Sequence, residues 1–183
     1  MAKSENDQLI DLYVTEFENL KKEQIQRIGF RDNLIYANLI AITGVISVVV
    51  VDINRIPVLL VLPMVCITLG WTYLVNDDKI SSMGRYIYTV LSAKIQKIMK
   101  SDELPLSGWE LANQADKKRA GRKKIQLLID ELVFVLPGLI AILLFWLLAP
   151  KGSMLLWVAA GEAVFLLILG IQIASYAEIK KGK

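Results

Sequence analysis

Residues Gly70 to Tyr88 read GWTYLVNDDKISSMGRYIY, and this stretch divides the chain into two kinds of segment. An unbroken apolar segment precedes it, and a charged segment with helical periodicity follows it. Trp71 and Tyr73 are amphipathic aromatic residues, which favour the boundary between membrane and water. The polar residues that come next are Asn76, Asp77 and Asp78. Because an ionised carboxylate costs several kcal/mol in hydrocarbon, we expect the chain to leave a membrane here and to enter the cytosol.

The composition of the chain is typical of a multi-pass membrane protein. Of its 183 residues 55% are hydrophobic, and the mean hydropathy is +0.48. Soluble domains average about 45–50% apolar residues, and here the excess lies in a few blocks. The chain has no histidine and a single cysteine, Cys66, which excludes histidine acid–base chemistry and Cys/His zinc sites. It also has no nucleophile elbow, Gly-rich phosphate loop or catalytic carboxylate pair, so we expect neither an enzyme nor a cofactor.

Four apolar segments are long enough to cross a bilayer, which takes about 17–25 residues. Short turns join them in pairs, so we expect two transmembrane hairpins. Pro137 lies inside the third segment, where its missing backbone donor is expected to kink the helix. The predicted spans are Leu34–Val51, Ile56–Val75, Leu132–Ala149 and Met154–Tyr176.

The segments outside the spans have amphipathic helical patterns. Near the N-terminus the apolar residues of one face are Ile10, Tyr13, Val14, Phe17, Leu20, Ile25 and Ile28. After the first hairpin a second apolar face holds Ile80, Met83, Ile87, Leu91, Ile95 and Ile98. The polar face of the first helix is mixed and slightly acidic, which favours packing on protein over lying on a membrane surface. We therefore expect the two apolar faces to pack on each other.

The fold class predicted from these patterns is all-α, with four transmembrane helices and a cytosolic amphipathic helical layer. The two turns between spans hold only Arg55 and Lys151 as cations, whereas the region between the hairpins and the C-terminal tail holds many more. The positive-inside rule then places both termini in the cytoplasm. The predicted segments are a cytosolic helix at 1–33, a hairpin at 34–75, a basic cytosolic region at 76–130, a hairpin at 131–177 and a basic tail at 178–183.

Glu162 is the most unusual residue, because it lies about a third of the way into the last span from the outer side. Polar groups at such a depth usually face a bundle interior or a water-filled path. One interpretation is a pore-lining or gating carboxylate, repeated in a symmetric ring of subunits. The other is a protonated or hydrogen-bonded packing residue beside Gly161, which permits close helix contact. Gln172, in the same span, is the second candidate for a pore or gate.

The most basic stretch of the chain carries six cations within eight positions: Lys117, Lys118, Arg119, Arg122, Lys123 and Lys124. With Arg85, these residues are the candidates for binding an anionic ligand or lipid. They could enforce topology and contact anionic lipid, at about 1 kcal/mol per residue. They could instead bind a nucleotide or oligonucleotide, to which arginine supplies bidentate phosphate contacts. They could also pair with nearby acidic residues.

The opening stretch supplies candidates for coupling the two kinds of segment: Trp71, Asn76, Asp77, Asp78 and Gly84. If the second span and the helix at residues 80–98 are continuous, they form one rigid element between the cytosolic packing and the bilayer. Asn76 and Gly84 are the positions at which we expect any break.

The opening stretch, QRIGFRDNLIYA (Gln26 to Ala37) and SGWE (Ser107 to Glu110) together resemble a widespread family of small bacterial integral membrane proteins. The resemblance covers about residues 1–110, and the last hairpin is similar only in hydropathy. The architecture also resembles the membrane effectors of antiphage systems that pair a nucleotidyltransferase with a multi-spanning protein, such as the Hailong type. That resemblance implies a channel of the bacterial inner membrane, controlled by a nucleotide or single-stranded oligonucleotide, that dissipates the membrane potential.

Two functional classes follow from the sequence. In the first the protein is a ligand-gated channel, and a single copy offers little room for a path. Conduction would then need a homo-oligomer, with a tetramer favoured on general grounds. In the second the protein is a non-conducting scaffold or sensor that anchors a soluble partner through its cytosolic helices.

Overall fold

The computed structural model describes residues 5–99, 119–150 and 153–176, except the side chains of residues 53, 119 and 120. Within these ranges 96% of the residues are helical and none lies in a strand, which confirms the all-α prediction. The elements in chain order are α1 (Glu5–Val51), a 3₁₀ helix (Ile53–Leu60), α2 (Val61–Tyr86), a π-helical turn (Ile87–Leu91), α3 (Ser92–Met99), α4 (Arg119–Phe134), α5 (Leu136–Leu148) and α6 (Leu155–Tyr176).

Four helical stretches of the described residues are long and apolar enough to cross a membrane, as the hydropathy predicted. They are Glu5–Val51, Asn54–Met99, Gly121–Leu148 and Leu155–Tyr176. The first two are much longer than the predicted spans, because α1 and α2 continue without a break into the charged segments that flank the apolar ones.

The chain divides into two compact units. The polar unit consists of Met1–Phe30 and Asn76–Arg119, and the apolar unit consists of Arg31–Val75 and Ala120–Lys183. One boundary falls between Val75 and Asn76, inside the stretch that divides the sequence into apolar and charged segments.

The apolar unit buries one face of each of its helices. On α6 the buried residues are Ala159, Glu162, Leu166, Leu169 and Ile173, which lie on one side at helical spacing. Large apolar side chains such as Trp157 and Ile171 are exposed on the other sides. An apolar outer surface of this extent is compatible with contact with a membrane.

Glycines allow the helices of the apolar unit to approach closely. A Cβ atom added at Gly70 would lie 2.7 Å from Leu169 Cδ2 and 3.1 Å from Phe134 Cβ. At Gly138 it would lie 2.7 Å from Leu166 Cδ1. Small residues at such contacts are how helices without a hydrophobic driving force gain packing energy in lipid.

The third apolar stretch is interrupted where Pro137 was expected to disturb it. Helix α4 ends at Phe134, and α5 begins at Leu136 with the proline in its first turn. Proline has no N–H group, so the carbonyl oxygen of Val133 loses the donor it would have four residues later. The fully buried side chain of Asn38, on α1, donates from Nδ2 to that oxygen at 2.6 Å. A side chain of one helix therefore satisfies the backbone group that the proline leaves without a partner.

In the polar unit the first part of α1 packs antiparallel to the end of α2, the π-helical turn and α3. As the residue number falls along α1, the residue number of its contact partner rises, which is the pattern of antiparallel helices. The contacts are Gln24 Nε2 to Ile80 O at 3.3 Å, Tyr86 OH to Glu16 Oε1 at 2.7 Å, and Lys94 Nζ to the Tyr13 ring centroid at 5.4 Å. The two segments therefore contact each other, and these three contacts involve polar groups rather than the apolar faces that were expected to meet.

The predicted apolar face of α1 is wrong at three positions. Ile25 is 69% exposed, and Val14 and Ile28 are also exposed. Around residues 24–28 the side of α1 that contacts α2 is occupied by Gln24 and Arg27, whose side chains hydrogen-bond to groups of α2. These polar contacts turn the neighbouring isoleucines outward.

The break expected at Asn76 or Gly84 is absent, because α2 runs through both residues. The irregularity lies farther along, at the π-helical turn, where the Ser92 N–H donates to Ile87 O. The hydroxyl of Ser92 is buried and has no hydrogen-bond partner among the described residues.

The Asn38 contact predicts a specific compensation. Replacing Asn38 by leucine leaves the Val133 oxygen unsatisfied and should destabilise the protein by about 1–2 kcal/mol. In a Pro137→Ala background the cost should be smaller, because the introduced alanine can supply the missing backbone N–H. Thermal unfolding of the four proteins of this cycle in detergent measures the difference. Thr43→Leu is the control, since Thr43 is exposed and bonds to Leu39 O of its own helix. Equal costs of Asn38→Leu in both backgrounds would contradict this account.

Candidate functional site

Glu162 lies on the buried face of α6 inside the apolar unit. Its residue is only 7% exposed, and neither carboxylate oxygen has a hydrogen-bond partner among the described residues. Buried polar groups in proteins are nearly always hydrogen-bonded, and each exception calls for an explanation. This exception is the candidate functional site.

The surroundings of Glu162 are apolar. Ala159 and Leu166, about one turn to either side on the same face, belong to one buried cluster. The other buried members of the cluster are Val45, Leu59, Leu60, Leu62, Cys66, Ala141, Ile142 and Phe145. An ionised carboxylate without a partner in such an environment is strongly unfavourable, because burial removes its hydration and nothing replaces it.

Gln172, the second candidate for a pore or gate, does not lie close to Glu162. Gln172 is half-buried and lies ten residues farther along α6, which corresponds to about 15 Å of helix rise. Gly161 has no neighbour within 4 Å of an added Cβ, so it does not provide the close helix contact considered for it. Glu162 and Gln172 therefore do not form one polar site along α6.

A second buried carboxyl group of the apolar unit is partnered. The Tyr73 hydroxyl donates to Asp130 Oδ1 at 2.7 Å, and both residues are buried. The Tyr73 ring also packs on Phe134 at a centroid distance of 4.9 Å. The sequence suggested a membrane-boundary aromatic at Tyr73. The structure instead joins Tyr73 and Asp130 in one internal hydrogen bond between α2 and α4.

Of the coupling candidates, Asn76 has the clearest structural role. It is buried, its Nδ2 donates to Arg27 O at 2.7 Å, and its Oδ1 accepts from Arg27 Nη1 at 3.3 Å. Arg27 also pairs with Glu23 at 2.7 Å. Trp71 is exposed, as a lipid-facing aromatic would be. The half-buried coupling candidates are Asp77, Asp78 and Gly84.

One tyrosine of the polar unit has a perturbed proton affinity. The Glu16 carboxylate that accepts the hydrogen bond of Tyr86 raises the pKa of this phenol, because loss of the proton would place two negative charges side by side. The bond therefore holds Tyr86 as a neutral donor.

The candidates for anionic-ligand binding are only partly described. Lys117 and Lys118 lie outside the described residues, and Arg119 begins α4 without a described side chain. Arg122 and Lys124 are exposed on the first turns of α4, and Lys123 is half-buried. Arg85 belongs to the polar unit, where its Nη2 atom contacts Ser82 Oγ at 3.1 Å and lies 4.0 Å from Asp78 Oδ1. In the described part of the chain no group of three or more His, Cys, Asp or Glu side chains could hold a metal ion.

The Tyr73 hydrogen bond predicts the consequence of removing one hydroxyl group. Tyr73→Phe leaves the buried Asp130 without this donor and should destabilise the protein by about 1–3 kcal/mol. Tyr36→Phe is the matched control, because Tyr36 belongs to the same unit and is exposed. Thermal unfolding in detergent should separate the two variants clearly. Equal melting temperatures would show that the Tyr73 hydroxyl contributes nothing to stability.

Comparisons with known proteins identify no relative of this chain. No family model, no curated protein and no solved structure matches it.

Proposed function

We propose that this protein is an oligomeric ion channel of the bacterial inner membrane that acts as an effector of antiphage defence. In this proposal both termini face the cytoplasm, and a nucleotide or single-stranded oligonucleotide made by a partner nucleotidyltransferase controls opening. The defence context rests on the resemblance of the architecture to the membrane effectors of nucleotidyltransferase-linked antiphage systems, whereas residues 70–88, 26–37 and 107–110 carry the resemblance to a family of small bacterial integral membrane proteins. The observation that supports conduction is the buried carboxyl of Glu162, which has no hydrogen-bond partner among the described residues.

A carboxyl at this depth is costly to retain for packing alone. An alanine or leucine at position 162 would fill the apolar cluster without the desolvation cost of a polar group. Intramembrane ionisable residues usually mark ion or proton paths for this reason. In the packed arrangement Glu162 lies among apolar side chains, which describes a closed state.

Opening is a shift in population between two packings of the apolar unit. In the open packing α6 separates from its neighbours within the unit, and the Glu162 carboxyl meets water. A carboxylate repeated around a symmetric oligomer would then attract cations to the path. A ligand controls this equilibrium only by its difference in affinity for the two packings.

The proposed ligand site uses the cations at the start of α4. Arg122 and Lys124 are exposed there and can reach phosphate groups. Arg119 precedes them in the same helix, and the neighbouring lysines add positive charge.

Ion flux through purified protein in liposomes tests conduction. We expect the wild type to release potassium ions at rates that change when a short single-stranded DNA oligonucleotide is added. Glu162→Gln should reduce the flux at least about tenfold, because the charge that attracts cations is lost. Glu18→Gln is the control, since Glu18 is exposed on α1 in the polar unit.

The two parts of the proposal fail differently. If neither the wild type nor Glu162→Gln conducts with or without the oligonucleotide, the protein is not a channel. If both conduct equally, the protein is a channel in which Glu162 has no role.

Charge reversal tests the ligand site. The double variant Arg119→Glu and Arg122→Glu should bind the same oligonucleotide at least about tenfold more weakly, because phosphate contacts dominate such affinities. Lys22→Glu, on α1 in the polar unit, should bind normally. Binding is measured by fluorescence anisotropy at fixed salt, with membrane insertion checked for each variant. Unchanged affinity of the double variant would remove these arginines from the site.

A scaffold remains the second candidate, and the surface of the polar unit favours it. Leu12 and Phe30 are exposed on α1, as is Ile25. Phe30 lines an open groove of about 550 Å³, together with residues that include Lys22 and Arg27. A scaffold would give no flux under any condition, which is the outcome that separates it from the channel.

A further inference from the structure

We propose that Glu162 is a proton-binding site, at which the packed bundle holds a neutral carboxylic acid that reacts with apolar carbodiimides. This deepens the proposed function, since it assigns a chemical state to the same residue. It rests on that proposal only for the placement of the apolar unit in a bilayer, and it does not require conduction.

The absence of compensating groups argues against a carboxylate. Neither oxygen of Glu162 accepts a hydrogen bond from any described residue. The buried hydrophobic cluster on this face of α6 includes one titratable group, the thiol of Cys66 on α2. Asp52 and Arg55 are the charged residues nearest in sequence to the cluster. They form a salt bridge with each other, Arg55 Nε to Asp52 Oδ2 at 3.4 Å, and both are partly exposed just after α1.

Two other buried polar side chains of the apolar unit donate hydrogen bonds to groups other than Glu162, although Asn38 Oδ1 has no hydrogen-bond partner among the described residues. The Asn38 amide donates to the Val133 carbonyl, and Tyr73 donates to Asp130. A negative charge on Glu162 would therefore be uncompensated, at a cost of several kcal/mol after relaxation. Binding a proton removes that cost.

The chemistry of the site selects a proton over a metal ion. A hard cation such as calcium takes about 6–8 oxygen ligands, whereas Glu162 offers two oxygen atoms from one residue among apolar neighbours. No metal-binding group of three or more His, Cys, Asp or Glu occurs in the described ranges. A proton needs only one oxygen and leaves no charge behind.

A neutral acid in apolar surroundings has a distinctive reaction with dicyclohexylcarbodiimide. The acid transfers its proton to one nitrogen of the reagent, and the carboxylate oxygen then bonds to the central carbon to give an O-acylisourea. The acyl group next migrates from this oxygen to a nitrogen of the reagent: the bond between the acyl carbon and the oxygen breaks as the acyl C–N bond forms, and the oxygen stays on the central carbon as a urea carbonyl. The product is a stable N-acylurea that retains every atom of both reactants. In water the O-acylisourea is instead hydrolysed, which regenerates the acid.

The experiment treats the full-length protein in liposomes with dicyclohexylcarbodiimide and analyses its peptides by mass spectrometry. We expect the peptide that contains Glu162 to gain the mass of one reagent molecule, at least about tenfold more often than the peptide of the exposed Glu18, because only Glu162 lacks hydration. A water-soluble carbodiimide with an added amine should reverse this preference. Glu162→Gln should lose the adduct, and so should wild-type protein denatured in detergent before treatment, which controls for a variant that fails to fold.

Two results would overturn the proposal. The first is wild-type protein in liposomes without an adduct on Glu162, and the second is modification of Glu162 by the water-soluble reagent as readily as of Glu18. Either result means that the carboxyl is ionised or hydrated in the packed bundle. Adduct formation without ion flux would support the proton site and defeat the channel, and flux without an adduct would do the opposite.

Discussion

The hydrogen bond from Asn38 to the Val133 carbonyl is the interaction on which the apolar unit depends. In a bilayer no water is available to satisfy a backbone group that loses its helical partner. Pro137 creates such a group between α4 and α5, and the amide of Asn38 supplies the donor at 2.6 Å. The contact fixes the depth at which α1 meets the interrupted helix, because only one carbonyl needs that donor. The proline and the asparagine thus act as one feature, although 95 residues separate Asn38 from Val133.

The apolar unit contains two buried carboxyl groups, and only one of them has a hydrogen-bond partner among the described residues. Asp130 accepts a hydrogen bond from Tyr73, and the pair ties α2 to α4. Glu162 has no such donor among the described residues and lies among side chains that offer only apolar contacts. The first carboxyl serves packing. Glu162 adds nothing to packing that an apolar residue would not. The proposed roles of Glu162, in proton binding and in the movement of α6, follow from this contrast.

Much of the fold follows from the sequence, because crossing a membrane is a demand on composition and length. The four apolar stretches, the disturbance at Pro137 and the isolated position of Glu162 are all visible without coordinates. The facing side of α1 was less predictable, since hydrogen bonds of Gln24 and Arg27 displace Ile25 from the interface. The pairing of Tyr73 with Asp130 could not be predicted, because periodicity along one helix holds no information about a partner 57 residues away.

The π-helical turn at Ile87–Leu91 also bears on how chains of this kind are compared. A π-helical turn holds one residue more than the surrounding α-helix can place in regular order. Leu91 and Ser92, at the end of this turn, are both buried. The helical periodicity of the buried positions in α3 is therefore shifted by one residue relative to that in α2. An alignment of this chain with one that has a regular helix here would require a gap of a single residue at the turn, and faces assigned beyond an ungapped turn would be rotated out of register.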